Sequence, residues 1–409
     1  MKRPSKYHQK SLSLFLLSFF FVLVLAGPGK AQWFHQDSGT GYTLFGVSFV
    51  NIDTGFSVGD YGTILWTTDG GRNWTTQTSG TRNSLMGVYF ADANTGTAVG
   101  LGGTILCTTN GGANWESQNS GTDNSLYGVS FTDPRAAGTS ANNRTAVGDA
   151  GTILRTTDGG ATWTPQDSWT TNSLRGLSFP NAFTGTVVGA SGTILRTTNG
   201  GTNWSPQTSG STRWLCGVSF ADANRGTVVG DSGTILRTTD GGATWTPQNG
   251  GTTHNLRGVT FPNANTGFVV GDYATVLRTG NGGANWVSQY VWPQDFLWGA
   301  IFINWLVGTA VGGNGTILRT YTSGYGVEER DKPDNAGMPD CGLTAKPNPF
   351  TSFARVPGHS SDRFSLYDVS GRRVGTYKGD RIGEGLAAGV YFVRALEGKA
   401  GQVRVVKLH

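Results

Sequence analysis

The stretch LRGLSFPNAFTGTVVGASGTILRTTNGGTNWSPQTSG, residues 174–210, decides how the chain folds. It divides into four short segments filled with β-branched and apolar residues: LRGLSF, TGTVVG, GTILRTT and NWSPQTSG. Gly, Asn, Asp and Ser stand at the joints, as tight turns require. No 3.6-residue apolar period is sustained, so the segments read as strands. The pattern recurs. Strings of the GTIL type begin at Gly62, Gly103, Gly151, Gly192, Gly233, Ala274 and Gly315. Strings of the type Leu-x-Gly-Val-x-Phe begin at Leu44, Leu85, Leu126, Leu174, Leu215, Leu256 and Leu297. The interval is 41 residues except once, where it is 48 because of an insertion near Pro134–Asn143. Four strands in about 41 residues is the size of a propeller blade.

The phase of the repeat predicts how the ring closes. The Trp of the fourth segment stands at positions 33, 74, 115, 163, 204, 245 and 286. Its first copy precedes any complete repeat, and the last GTILRT, at Gly315, has no Trp after it. The strand of Trp33 is therefore expected to complete the blade of Gly315 and remove the open edges. The fold class is all-β: a seven-bladed β-propeller over residues 32–323, closed by its N-terminal strand. A linear solenoid would need capping repeats, and none is visible.

Between the third and fourth strands runs the motif T-x-[DN]-x-G-x-[TN]-W, with Asp69, Asn110, Asp158, Asn199, Asp240 and Asn281 at its acidic or amide position. Trp74, Trp115, Trp163, Trp204, Trp245 and Trp286 end the six copies. The chemistry is that of a tight turn: a carboxylate or amide bonds backbone N–H groups and the Trp pins the turn to its blade. The motif resembles the Asp box of bacterial neuraminidase repeats. With GTILRTTDGGxxW it resembles more specifically the photosystem II assembly/stability-factor family of seven-bladed propellers. That resemblance implies a structural role for the Asp-box residues, because in such propellers the box lies opposite the ligand face.

The ends of the chain carry an address. Lys2, Arg3, Lys6 and Lys10 precede an apolar run from Leu12 to Ala26, and Gly29-Lys30-Ala31 puts small residues at a cleavage site. Residues 1–31 read as a secretory signal peptide, the run falling short of the ~20 residues that span a bilayer. No later segment is long and apolar enough to span one, so no transmembrane segment is expected after cleavage. The signal peptide contains five of the 31 basic residues and no acid, so the +5 of the whole chain becomes 26 bases against 26 acids. That balance argues against a nucleic-acid partner. Residues 324–343 read as a linker, and residues 344–409 alternate apolar and polar positions as a small β-sandwich does. Pro347-Asn348-Pro349, then Gly371 after a Leu-Tyr-Asp-Val-Ser run, then Gly389-Val390-Tyr391 follow in order. This order resembles the C-terminal sorting domain of the type IX secretion system of Bacteroidota. It implies export by Sec, passage through the outer-membrane translocon, and release or attachment at the cell surface.

Chemistry is sparse on the propeller. Its only Glu is Glu116, beside an Asp box, so the Tyr–Glu machinery of sialidases is not expected. Asp60, Asp149, Asp231 and Asp272 recur at one position between strands two and three, where a pair could serve a glycan hydrolase or each could simply make a turn. His35, His254 and His359 are scattered, so neither metal nor cofactor is called for. Cys107 and Cys216 read as buried small hydrophobes. After GTIL the residues are Trp66, Cys107, Arg155, Arg196, Arg237, Arg278 and Arg319, and repetition in register favours packing between blades. The loops between blades are where the repeat gives way to individual residues: Tyr42, Arg82, Trp169, Arg213, Trp214, His254, Trp292 and Asp295. The innermost strands add Phe45, Tyr127, Arg175, Arg257 and Trp298 at one equivalent site. Aromatic rings with Arg suit a peptide segment or a sugar. The expectation is an exported, non-catalytic, monomeric binding propeller for a protein or glycan partner, delivered by the type IX machinery. The alternative is a surface glycan hydrolase.

Overall fold

The computed structural model describes residues 33–132 and 142–321, with six further strands between residues 354 and 407. The signal segment 1–31, most of the insertion, the linker with Cys341, and Pro347, Asn348, Pro349 and Gly371 lie outside the described residues. Gly389 and Tyr391 fall within the strand Gly389–Ala395.

Alternation of short apolar segments with turn residues produces seven four-stranded antiparallel sheets. The first consists of Leu44–Phe49, Gly55–Gly59, Ile64–Thr67 and Thr75–Gln77, ordered from the centre outward. The second strand of every blade is buried along its whole length, as in Gly185–Gly189 and Gly308–Gly312. Blades cover it on both faces, which is why it lacks the polar alternation of a half-exposed strand. The apolar layers lie between blades: Phe56, Val58 and Ile64 of the first pack with Leu85, Val88 and Phe90 of the second.

Closure follows the phase of the repeat. Phe34–Gln36 pairs antiparallel with Ile317–Thr320, in the register Phe34 with Arg319, His35 with Leu318 and Gln36 with Ile317. The strand therefore becomes the outermost member of the seventh blade, after Leu297–Phe302 and Gly308–Gly312. The Trp33 indole Nε1 donates to Gln289 Oε1 in the sixth blade at 3.0 Å. Its ring stands edge-on to Phe302, with centroids 5.9 Å apart. Leu44 and Leu65 of the first blade share a buried cluster with Val311 and Ile317 of the seventh.

The Arg residues after GTIL join blade to blade. Arg319, with no exposed surface, donates to Thr309 Oγ1 at 2.7 Å and to the Ile52 carbonyl of the first blade at 2.6 Å. Its guanidinium lies 4.4 Å from the Phe49 ring. Arg196 and Arg237 repeat this arrangement through the carbonyls of Ala223 and Ala264, while Arg155 donates to the Gly200 carbonyl. Burial lowers the pKa of Arg196, Arg237 and Arg319. The second blade has Cys107 instead. There Arg144, from the second strand of the third blade, reaches back to Thr97 Oγ1 at 2.8 Å and Cys107 Sγ at 2.9 Å. One guanidinium thus replaces another from the opposite side of the same interface.

The C-terminal strands form a four-stranded antiparallel sheet of Arg373–Lys378, Arg363–Asp368, Gly389–Ala395 and Gln402–Lys407, in that spatial order. A two-stranded ribbon pairs Ala354–Arg355 with Arg381–Ile382.

Candidate functional site

Antiparallel connectivity assigns each loop to a face. Turns from strand one to two and the Asp boxes share one face; turns from strand two to three and the loops between blades share the other. The Asp-box face is closed by its own hydrogen bonds. In the first box the Thr67 hydroxyl donates to Asp69 Oδ1 at 2.9 Å, and Asn73 N donates to the same oxygen at 3.0 Å. In the third, Thr162 gives Asp158 both its hydroxyl, at 2.6 Å, and its backbone N–H, at 3.0 Å. The Thr162 bonds hold the Asp158 carboxyl well below the usual carboxylate range, and Thr244 does the same for Asp240. Asn110, Asn199 and Asn281 accept the equivalent backbone bonds. The box Trp indoles reach the preceding blade, Trp115 Nε1 to Gln77 and Trp163 Nε1 to Gln118, while those of Trp204 and Trp245 are buried without a hydrogen-bond partner. Trp74, Trp204, Trp245 and Trp286 stand edge-on to a Phe, as Trp74 does to Phe49 at 6.0 Å.

The other face opens on the channel. The second residue of every innermost strand lines one cavity of about 140 Å³: Phe45, Met86, Tyr127, Arg175, Cys216, Arg257 and Trp298. Five of these were legible as candidates. Met86 and Cys216 complete the ring, and their only signal was their register in the repeat. Arg257 is held by Asp272 through two bonds of 2.8 and 2.9 Å, with Asp231 3.7 Å away. Burial opposes its charge, but Asp272 and Asp231 outweigh burial and raise its pKa. The Arg175 guanidinium lies 4.7 Å from the Tyr127 ring and 4.9 Å from that of Trp214, and its Nε is buried without a hydrogen-bond partner. The Tyr127 hydroxyl donates to Asp149 at 2.9 Å, and burial together with that bond raises its pKa. Cys216 is only half-buried, unlike Cys107, so it lines the mouth instead of the core; burial pushes its thiol up.

Phe45, Arg175, Trp214, Arg257 and Trp298 therefore come together. Tyr42, Trp169, Arg213 and Trp292 are exposed in the loops around them. Tyr42 meets Tyr61 at 4.9 Å, and Tyr273 meets His254 and Phe296 at 5.0 and 5.2 Å. Tyr61 and Tyr273 sit at the tips of the turns between strands two and three, a position whose prominence the spacing did not reveal. Trp169 and Trp292 share one loop position, where the other five loops have Gly39, Gly80, Gly121, Gly210 and Gly251. Those five glycines all have positive φ, and Trp169 takes the same conformation at φ 57° with 73% of its surface exposed.

Asp60, Asp149, Asp231 and Asp272 each begin a turn, their backbone N–H groups donating to the carbonyl that precedes the innermost strand. Their carboxylates point to local partners: Ser84 for Asp60, Tyr127 and Ser173 for Asp149, Arg257 and Asn255 for Asp272. Among the described residues no group of three or more His, Cys, Asp or Glu is placed to hold a metal ion.

Fold and site together define a closed seven-bladed propeller with one repeated face and one individual face. The family described as Photosynthesis system II assembly factor YCF48 matches residues 27–118, 115–208 and 207–294, and the chain belongs to it. Among solved structures, "YCF48 bound to D1 peptide" aligns at 21% identity and TM-score 0.59, over 73% of this chain and 96% of that one. YCF48 from Cyanidioschyzon merolae aligns at 20% identity and TM-score 0.59, over 71% and 99%. The GH74 xyloglucanase from Xanthomonas campestris shares the fold at 13% identity and TM-score 0.58, over 72% of this chain and 54% of that one. The search of curated proteins found no match.

Proposed function

We propose that the propeller is a non-catalytic, assembly-factor-like binding module that holds an extended segment of a protein partner across the mouth of its channel. One observation carries this reading. Arg175 lines the cavity between two aromatic rings and has no ion pair among the described residues, whereas Arg257, two blades further on, is held by carboxylates. A guanidinium left with donors to spare in a partly buried aromatic cleft suits a carbonyl or carboxylate brought by a ligand. A relative in the family is described as bound to a peptide, which supports a protein partner. A peptide library panned on the full chain would test it. Retention should fall about 10- to 100-fold for Arg175→Ala or Trp214→Ala and stay constant for Asp240→Asn on the opposite face. Equal retention by all three variants would reject the channel mouth as the site.

We further propose that this module works outside the cell. The signal segment and the motif order of residues 344–409 support export by Sec and then the type IX translocon, and that route points away from work on a photosystem itself. Removing residues 344–409 should leave the propeller in the periplasm; surface display of the shortened chain would sink the proposal. The hydrolase alternative has weaker support, because Asp149 and Asp272 are already bonded to neighbouring side chains.

A further inference from the structure

Six of the seven GTIL-type strings begin with Gly, and the structure gives the reason. A Cβ on Gly62, Gly103, Gly151, Gly192, Gly233 or Gly315 would collide with the backbone carbonyl of Thr81, Thr122, Thr170, Ser211, Thr252 or Thr40 respectively. In each case that carbonyl belongs to the loop leaving the same blade. The sixth blade breaks the rule with Ala274, and the loop facing it is rebuilt. Residues 289–297 read QYVWPQDFL, where the loop of residues 77–85 reads QTSGTRNSL. Pro293 replaces the residue with the obstructing carbonyl. Val291 replaces the turn Ser and is buried in one cluster with Ala274. The Ala274 N–H still donates to the Asp295 carbonyl at 2.8 Å, as Gly192 N–H does to the Arg213 carbonyl in the fourth blade. The turn keeps the two consecutive positive-φ positions of the other blades but fills them without glycine, with Tyr273 and Ala274.

These linked departures surround a recess of about 390 Å³, within the range of small-ligand sites. Its walls include Tyr273 and Tyr290, both more than half exposed, with His254, Thr252, Gln294 and Ser288. His254 bonds Thr275 at 2.9 Å and lies tilted against Tyr273, which also meets Phe296. No Lys, Arg, Asp or Glu lines the recess. An ionic ligand would find no countercharge there. A ligand with an apolar ring face and neutral hydroxyls would find aromatic rings, amides and hydroxyls.

We infer that this recess is a second binding site, for a neutral pyranose ring of a glycan, separate from the channel mouth. Calorimetric titration of the full chain with cellohexaose, xylohexaose, mannohexaose and maltohexaose tests it. At least one should bind saturably. Tyr273→Ala should weaken that binding about tenfold, Gln294→Ala should also weaken it, and Arg175→Ala should leave it unchanged. Since the peptide test turns on Arg175 and this one on Tyr273, either site can fail alone. No saturable binding by any of the four, or binding indifferent to both Tyr273→Ala and Gln294→Ala, would overturn the inference. So would retention of aromatic peptides in the recess without any sugar.

Discussion

The two faces of the propeller are built from one repeat and treat it in opposite ways. On the Asp-box face each acidic or amide side chain is used up locally, by backbone and hydroxyl donors of its own turn. On the channel face the loops differ in side chain, and in the sixth blade in backbone as well, and Trp169, Trp292, Tyr61 and Tyr273 stand largely in solvent. A repeat must satisfy its own polar groups before any copy can diverge. Divergence is therefore concentrated at positions whose side chains the ring does not need, and where it reaches the interior, as at Cys107 and Ala274, a neighbour changes with it. The difference separates what holds the ring together from what it presents.

Three variants probe that separation. The largest effect belongs to Arg319, which joins the last blade to the first without any exposed surface. Arg319→Ala leaves a cavity and strips the Ile52 carbonyl and Thr309 of a donor, at a cost of about 3 kcal/mol by urea denaturation. A loss below about 1 kcal/mol would mean the closing interface is not stabilised through this residue. Trp169→Gly works the other way. It restores the residue type that the left-handed loop position prefers and should stabilise the fold by about 0.5–1 kcal/mol. A destabilised variant would show that the Trp packs usefully against its own blade and is no pure surface feature. The smallest effect is on the acid limb. Asp158 and Asp240 have depressed folded pKa values, so their contribution is full above the unfolded value of about 3.9 and fades as pH falls through the folded one. Asp158→Asn with Asp240→Asn should flatten the fall of Tm below about pH 4 while leaving partner binding intact. An unchanged acid limb would assign acid unfolding to other carboxylates.

Much of this is legible in the amino-acid sequence. The period gives the blades, and the misplaced Trp33 gives the closure, because a strand pattern out of phase with its repeat has one vacant place to go. The ring of Phe45, Tyr127, Arg175, Arg257 and Trp298 was legible as a register. Met86 and Cys216 share that register, but their residue types do not mark them as binding residues. The Gly-to-Trp change at Trp169 is visible in the sequence, but its left-handed backbone is not. The recess beside Ala274 was hidden for a stronger reason. Ala274 is an ordinary substitution until one knows which carbonyl it would strike, and that neighbour lies in a different segment of chain.

The strand that closes the ring also sets an order of events. Trp33 bonds a side chain 256 positions further along, so the first part of the propeller to be synthesised is the last to find its partner. Until the seventh blade is complete, the sixth and first blades each present a bare flank, and Phe34–Gln36 has nothing to pair with. Long-range pairing of this kind slows folding and leaves sticky intermediates. A chain threaded through a membrane from its N-terminus would carry its clasp across first and fasten it only when the far end arrived.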